Sequence, residues 1–180
     1  MVYVLLGTGF EEIEALTPVD LLRRAGVDVL TVGINGKTVY GGHGIGIAAD
    51  ITIEEMDLSQ MEMIVLPGGL GGVASVRGSQ QAMDAIRYAH EQKKYIAAIC
   101  AAPTILAQLQ ITDGKRAVCY PGCEEEMGNA HMQQDLACVS DGHVITGTSA
   151  GCAIAFALTL IETLKGADAA QTIARQIVIR

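Results

Sequence analysis

The 180-residue chain has no tryptophan and only two phenylalanines. Surfaces that bind single-stranded nucleic acid stack bases on aromatic rings, and this chain has too few to build one. Positive charge is sparse as well: twelve Lys and Arg stand against twenty Asp and Glu, for a net charge of −8. The basic residues come at most in pairs such as Arg23-Arg24 and Lys93-Lys94, so no phosphate-neutralising patch is expected and nucleic acid is excluded as a partner. Half of the residues are hydrophobic, yet no run approaches the ~18 apolar residues of a membrane span. The opening Met-Val-Tyr-Val-Leu-Leu-Gly lacks a basic n-region and a cleavage site, and reads as a strand and not a signal peptide. The expected compartment is the cytoplasm, with no membrane partner. No low-complexity segment, repeat or linker interrupts the chain, and one domain over residues 1–180 is expected. Five cysteines, at 100, 119, 123, 138 and 152, form no CxxC pair. An odd count without that spacing argues against a secreted disulfide framework and for reduced thiols. Cys119 and Cys123 with His131 have weak metal-ligand spacing and no second close pair, so no metal site is expected.

What is present is a single informative run, Tyr95 to Pro103 (Tyr-Ile-Ala-Ala-Ile-Cys-Ala-Ala-Pro). Ile96–Ile99 is short and continuously apolar, as a strand covered on both faces would be. Pro103 suits the first turn of a helix, and Ile105, Leu106 and Leu109 follow at helical spacing. Cys100 therefore sits on a strand-to-helix corner, crowded by small neighbours, with the N–H groups of the helix start close by. A thiol there is expected to ionise more easily than usual; the plainer alternative is a small apolar core residue.

Strand and helix patterns alternate elsewhere. Val2–Leu6 reads as a strand and Glu11–Ala25 as a helix closed by Gly26. Val27–Ile34 is a second strand ending at the turn pair Asn35-Gly36, and Thr38–Tyr40 with Ile45–Ala48 forms a small antiparallel excursion. Met63–Leu66 is a buried strand running into a turn over Pro67–Gly72. A helix is expected over Gln80–Gln92, short strands near Ala117–Tyr120 and His143–Thr146, and closing helices over Ala153–Leu164 and Ala167–Arg175. This alternation predicts an α/β fold with a mostly parallel sheet between helices. In such sheets sites lie at the carboxyl ends of strands, where strand order reverses. Gly7-Thr8-Gly9, Pro67–Gly72 and Cys100 all fall on that rim.

Gly7-Thr8-Gly9 lacks the third glycine of a dinucleotide fingerprint, since position 12 is Glu, and Pro67-Gly68-Gly69 lacks the Lys of a P-loop. No nucleotide or other cofactor is expected. Gly69 is either part of a tight turn or a backbone N–H donor that, with the N–H of Ala101, stabilises an oxyanion. Glu11, Glu12 and Glu14 crowd the first turn of the first helix, where acidic residues complement the helix dipole. One of them facing the rim would be a proton carrier beside Cys100, its pKa raised by burial; periodicity does not choose among the three. Of four histidines, His131 lies in a polar loop late enough to fold back over the rim.

Taken together these residues resemble the DJ-1/ThiJ/PfpI superfamily. The resemblance runs nearly the whole chain: Gly9 to Glu14 (Gly-Phe-Glu-Glu-Ile-Glu), Pro18-Val19-Asp20, Leu22 to Gly26, Val65 to Gly69 (Val-Leu-Pro-Gly-Gly) and Ala97 to Pro103. The Glu-Glu-x-Glu and Pro-Val-Asp segments point to the DJ-1-like branch. The resemblance implies a flavodoxin-like three-layer sandwich, like that of class I glutamine amidotransferases, usually as a homodimer. It implies Cys100 as the reactive cysteine on a nucleophile elbow, Glu14 as its protonated carboxylate partner, Gly69 and Ala101 as oxyanion-type amides, and His131 as the nearby histidine. The chain departs from the pattern in three places. His43 stands in the region where an arginine is frequent, Gly147–Gly151 reads Gly-Thr-Ser-Ala-Gly for Ser-Arg-Gly-Pro-Gly, and Ala101 replaces the histidine of the protease-like branch. The last departure removes the Cys-His pair a peptidase needs.

Two activities fit the same residues. One is a cofactor-independent glyoxalase or deglycase acting on small reactive aldehydes, in which Cys100 attacks the carbonyl carbon and Glu14 and His131 move protons. The other is an oxidative-stress sensor whose Cys100 is oxidised to sulfinic acid without turnover.

Overall fold

A computed structural model describes residues 1–179. Eleven strands and six α-helices follow in the order β1 (Val2–Leu6), α1 (Glu12–Arg24), β2 (Val29–Gly33), β3 (Thr38–Tyr40), β4 (Gly46–Ala48), β5 (Ile51–Thr52), β6 (Met63–Leu66), α2 (Leu70–Gly78), α3 (Gln80–Glu91), β7 (Tyr95–Ile99), α4 (Pro103–Gln108), β8 (Arg116–Ala117), β9 (His131–Met132), β10 (Cys138–Asp141), β11 (Val144–Gly147), α5 (Ala153–Lys165) and α6 (Ala167–Gln176). Seven strands form the central sheet in the order β10-β11-β7-β6-β1-β2-β5. All neighbours pair in parallel except β10, which turns back antiparallel on β11. From β1 the chain first builds outward through β2 to β5, then crosses to β6 on the other side. Strand order therefore reverses at the β1–β6 seam, where a crevice opens at the strand C-termini.

The two-residue period of the strands divides the core into two layers. Val2, Val4, Leu6, Ala97 and Ile99 face α1, α5 and α6 and pack with Leu22, Phe156, Leu160 and Ile173. Tyr3, Leu5, Ile64, Leu66, Ile96 and Ala98 face the other way and pack with Ile86, Ile105 and Leu106. Both sides of the central strands are covered, which explains their unbroken apolar runs.

The segments read from sequence occur with ends shifted by a residue or two, and β3 pairs with β4 as the small antiparallel excursion. Gly26 closes α1 at φ 67, its N–H bonded to the carbonyl of Arg23. Three expectations need correction. The glycine-rich run Pro67–Gly72 is only half a turn, because α2 already begins at Leu70. Glycines disfavour a helix, but these let it pack directly on the turn after β1. A Cβ at Gly71 would stand 3.0 Å from the Cα of Gly9, and one at Gly72 2.7 Å from the Cα of Phe10. Second, β10 has no counterpart in the periodicity reading: only one of its four residues, Val139, is buried, as befits an edge. Third, the strand near Ala117 ends there, and β8 pairs with β9 outside the main sheet.

Candidate active site

Cys100 lies at the C-terminal end of β7 with φ 67, a left-handed conformation that L-residues seldom adopt. Such strain costs on the order of 1–3 kcal/mol and persists only where the surroundings fix it. Here they do so from both sides. The Cys100 N–H donates to the carbonyl of Gly147 at 2.9 Å, and the Cys100 carbonyl accepts from Tyr120 N–H at 2.7 Å. The bend lifts the side chain out of the sheet at the seam, partly exposed above fully buried Ile99.

Two backbone amides act on the Cys100 sulfur, those of Gly69 and Ala101, and both favour the thiolate. Gly69 is at φ 82, and a Cβ there would come within 2.5 Å of the Gly9 carbonyl oxygen and 2.7 Å of the Glu11 nitrogen. Only glycine both adopts that conformation and fits that gap. The turns after β1 and β6 are tied together by Glu11 N–H donating to Gly68 carbonyl at 3.0 Å.

Of the three acidic residues on the first turn of α1, Glu14 faces the cysteine. Its side chain is fully buried; Oε2 accepts from Gly68 N–H at 2.8 Å, and Oε1 has no hydrogen-bond partner among the described residues. Burial pushes its pKa up to about 7, against the pull of the Cys100 thiol and the Gly68 amide. The thiol is pushed up in turn, to about 12, by burial first and then by the Glu14 carboxylate, with the two amides opposing. This is opposite in direction to the easily ionised thiol read from the corner alone. The cause is enclosure: the sulfur sits deeper, and closer to a carboxylate, than its place at the head of a helix suggests. Glu14 repels the thiolate only while it is itself ionised. Once Cys100 gives up its proton, a protonated Glu14 is a donor toward sulfur instead of a charge against it.

Glu12 and Glu11 take other places. Glu12 is buried and binds the β3–β4 turn: its Oε1 accepts from His43 N–H at 2.8 Å and its Oε2 meets His43 Nδ1 at 2.8 Å. Glu11, Glu12 and His43 lie close enough to share a metal ion, but the Glu12 oxygens are already occupied by the turn. His131 does not join the cysteine. It is exposed on β9, its N–H bonded to the carbonyl of Lys115, and it is not among the residues lining the cavity above Cys100. That cavity measures about 310 Å³ and is lined by Glu11, Gly69, Leu70, Cys100, Ala101, Tyr120 and Cys123. Tyr120 had no signal in the sequence as a site residue, and Cys123 was weighed only as a weak metal ligand with Cys119 and His131; the hydrogen bond from Tyr120 N–H to the Cys100 carbonyl brings both to the cavity.

The DJ-1/PfpI family profile matches residues 1–163. The chain belongs to the DJ-1/PfpI family. Among its relatives is the protein dj-1beta of Drosophila melanogaster, 35% identical over 98% of this chain and 95% of the relative. The crystal structure of Drosophila DJ-1beta superposes with a TM-score of 0.94, covering 99% of this chain and 97% of that one. A protein of Pyrococcus abyssi named as a deglycase is 28% identical over 91% of this chain and 99% of its own length. The mostly parallel sheet between two helical layers is thus the fold of this family, as the sequence resemblance implied.

Proposed function

We propose that the chain is a cofactor-independent, cysteine-dependent enzyme of the glyoxalase or deglycase kind, acting on small reactive aldehydes. The observation that carries this reading is the convergence on one sulfur of two backbone amides and a buried carboxyl group. The deglycase name of the Pyrococcus abyssi relative supports it. With methylglyoxal, Cys100 sulfur attacks the aldehyde carbon as its proton passes to Glu14, and the new oxyanion faces the amides of Gly69 and Ala101. Glu14 returns that proton to the oxyanion, giving the hemithioacetal. Its carboxylate then takes the proton of the former aldehyde carbon and delivers it to the neighbouring carbonyl carbon, while the hydroxyl proton passes to the former ketone oxygen, which gives a lactoyl thioester. Water cleaves the thioester, releasing lactate and restoring the thiol. A group that holds a proton near pH 7 is matched to this shuttle. His131, exposed on β9, is left without a step.

A cytoplasmic setting, in which the five free cysteines stay reduced, belongs to the same proposal. So does a homodimer, supported by Ile13 and Ile154, 54% and 42% exposed. No helix among the described residues is long and apolar enough to cross a membrane.

The deciding experiment is a steady-state assay of lactate formation from methylglyoxal by wild type and Cys100→Ser, in buffer free of amines and thiols. Many turnovers by the wild type and none by the variant are expected. Lactate production retained by Cys100→Ser would overturn the mechanism.

A further inference from the structure

Cys123 lines the same cavity as Cys100, and nothing in the aldehyde reaction uses it. The two cysteines are joined through a short, anchored turn. Tyr120 N–H bonds the Cys100 carbonyl at 2.7 Å, and Cys123 N–H closes the turn on the Tyr120 carbonyl at 2.9 Å. Between them Gly122 sits at φ 99 with open space where a Cβ would point. Its N–H is held by Glu124 Oε2 at 2.7 Å; a glycine at this point has the backbone freedom to rearrange the turn, which bringing Cys123 onto Cys100 requires. On the far side of the turn Arg77 holds Glu126 at 3.1 Å and the hydroxyl of Thr104 at 2.8 Å, which anchors the segment that follows Cys123.

We propose that Cys123 is the resolving thiol for Cys100, and that hydroperoxides close the cavity with a Cys100–Cys123 disulfide. The inference rests on Cys100 as the reactive thiol, not on the aldehyde as substrate. In the first step Cys100 thiolate attacks a peroxide oxygen and the O–O bond breaks. Sulfur is oxidised to sulfenic acid, and the departing hydroxide takes the Glu14 proton and leaves as water. In the second step Cys123 sulfur displaces the sulfenic hydroxyl, which takes up the thiol proton and leaves as water, and an S–S bond forms. Two thiols lose two electrons and one peroxide becomes two waters. Cys123 suits the second role because the amides of Gly69 and Ala101 and the Glu14 carboxyl converge on the Cys100 sulfur and not on its own, so the first attack falls to Cys100. A disulfide needs its Cα atoms within about 7 Å, and closing the turn removes the substrate space. Oxidation thus shuts the site reversibly and spares Cys100 from further oxidation.

The test treats reduced protein with two equivalents of hydrogen peroxide, quenches with N-ethylmaleimide and maps peptides under non-reducing conditions. The expected wild-type product is a Cys100–Cys123 linked peptide, with both thiols recovered after phosphine reduction. In Cys123→Ser and Cys123→Ala, each checked for native circular dichroism, the link is absent and Cys100 gains two oxygens. Wild type that accumulates Cys100 sulfinic acid as fast as these variants, or that links only Cys119 to Cys123, would overturn the inference. Methylglyoxal turnover by untreated protein is measured alongside. A link without turnover removes the aldehyde reading alone, and turnover without a link removes this one alone.

Discussion

The carboxyl of Glu14 and the Cβ of Cys100 meet across the bare Cα of Gly68. A methyl group there would stand 2.6 Å from Glu14 Oε2 and 2.7 Å from Cys100 Cβ. Gly68 is not in the left-handed region, so space alone requires glycine at this position. Gly68→Ala is expected to push the two groups apart and cost about 1–3 kcal/mol of stability, read as a melting point lower by several degrees. Methylglyoxal turnover should fall at least 100-fold. Wild-type melting and wild-type turnover in this variant would mean that Glu14 and Cys100 need no such approach.

The buried Glu14 carboxyl leaves a signature in stability against pH. Its folded pKa, about 7, lies above the 4.5 of a free glutamate because burial disfavours the charge. Between these values the unfolded chain has released the proton and the folded chain has kept it, so stability falls as pH rises from 4.5 through 7. The full effect is on the order of 3 kcal/mol. Glu14→Gln, neutral and of the same shape, should be more stable than wild type above pH 7 and equal to it near pH 4. Chemical denaturation of both proteins between pH 4 and 8 gives the difference directly; parallel curves would show that Glu14 does not hold its proton.

How far the sequence carried this site is uneven, and the reasons are physical. Cys100 was legible because a buried strand running into Pro103 leaves only one geometry for the corner. Glu14 was not separable from Glu11 and Glu12 by periodicity, since adjacent residues of a first turn all lie near the rim. The choice depended on the position of the Gly68 amide, which belongs to a segment 54 residues away. α2 was hidden because its glycines serve close packing against Gly9 and Phe10, a contact that local propensity cannot register. Tyr120 and Cys123 reach the cavity through a backbone hydrogen bond to Cys100, which leaves no mark in residue type.

At the opposite end of the sheet from Cys100, His90 Nδ1 and His143 Nε2 are 3.0 Å apart. Burial, then nearby charges including Lys93 and Lys115, lower both pKa values, and His90 adds to the lowering at His143. Only one proton fits between the facing nitrogens. Above about pH 6.5 both histidines are neutral in folded and unfolded chains, and stability is unaffected. Below it the unfolded chain binds protons first, so stability drops with acid. His143→Gln should reduce that drop between pH 6.5 and 5, measured by urea midpoints. An unchanged acid slope would show that the pair titrates as free histidines do.

Glu11 is the one acidic side chain among the described residues lining the cavity, and no Lys, Arg or His lines it. Its nearest cation candidate, His43 Nδ1, is 3.8 Å away but is held at 2.8 Å by Glu12, so the proton on that ring serves Glu12 first. The entrance should therefore disfavour anions, in keeping with a neutral dicarbonyl as substrate. Alkylation of Cys100 separates charge from catalysis, because iodoacetate and iodoacetamide differ mainly in one negative charge. Wild type should react faster with iodoacetamide, and Glu11→Gln should narrow the ratio of the two rates roughly 5-fold, the scale of one partly screened charge at close range. The narrowing should fade in 1 M salt, where the screening length drops to about 3 Å. A rate ratio that Glu11→Gln leaves unchanged at low salt would show that shape, and not charge, selects what reaches Cys100.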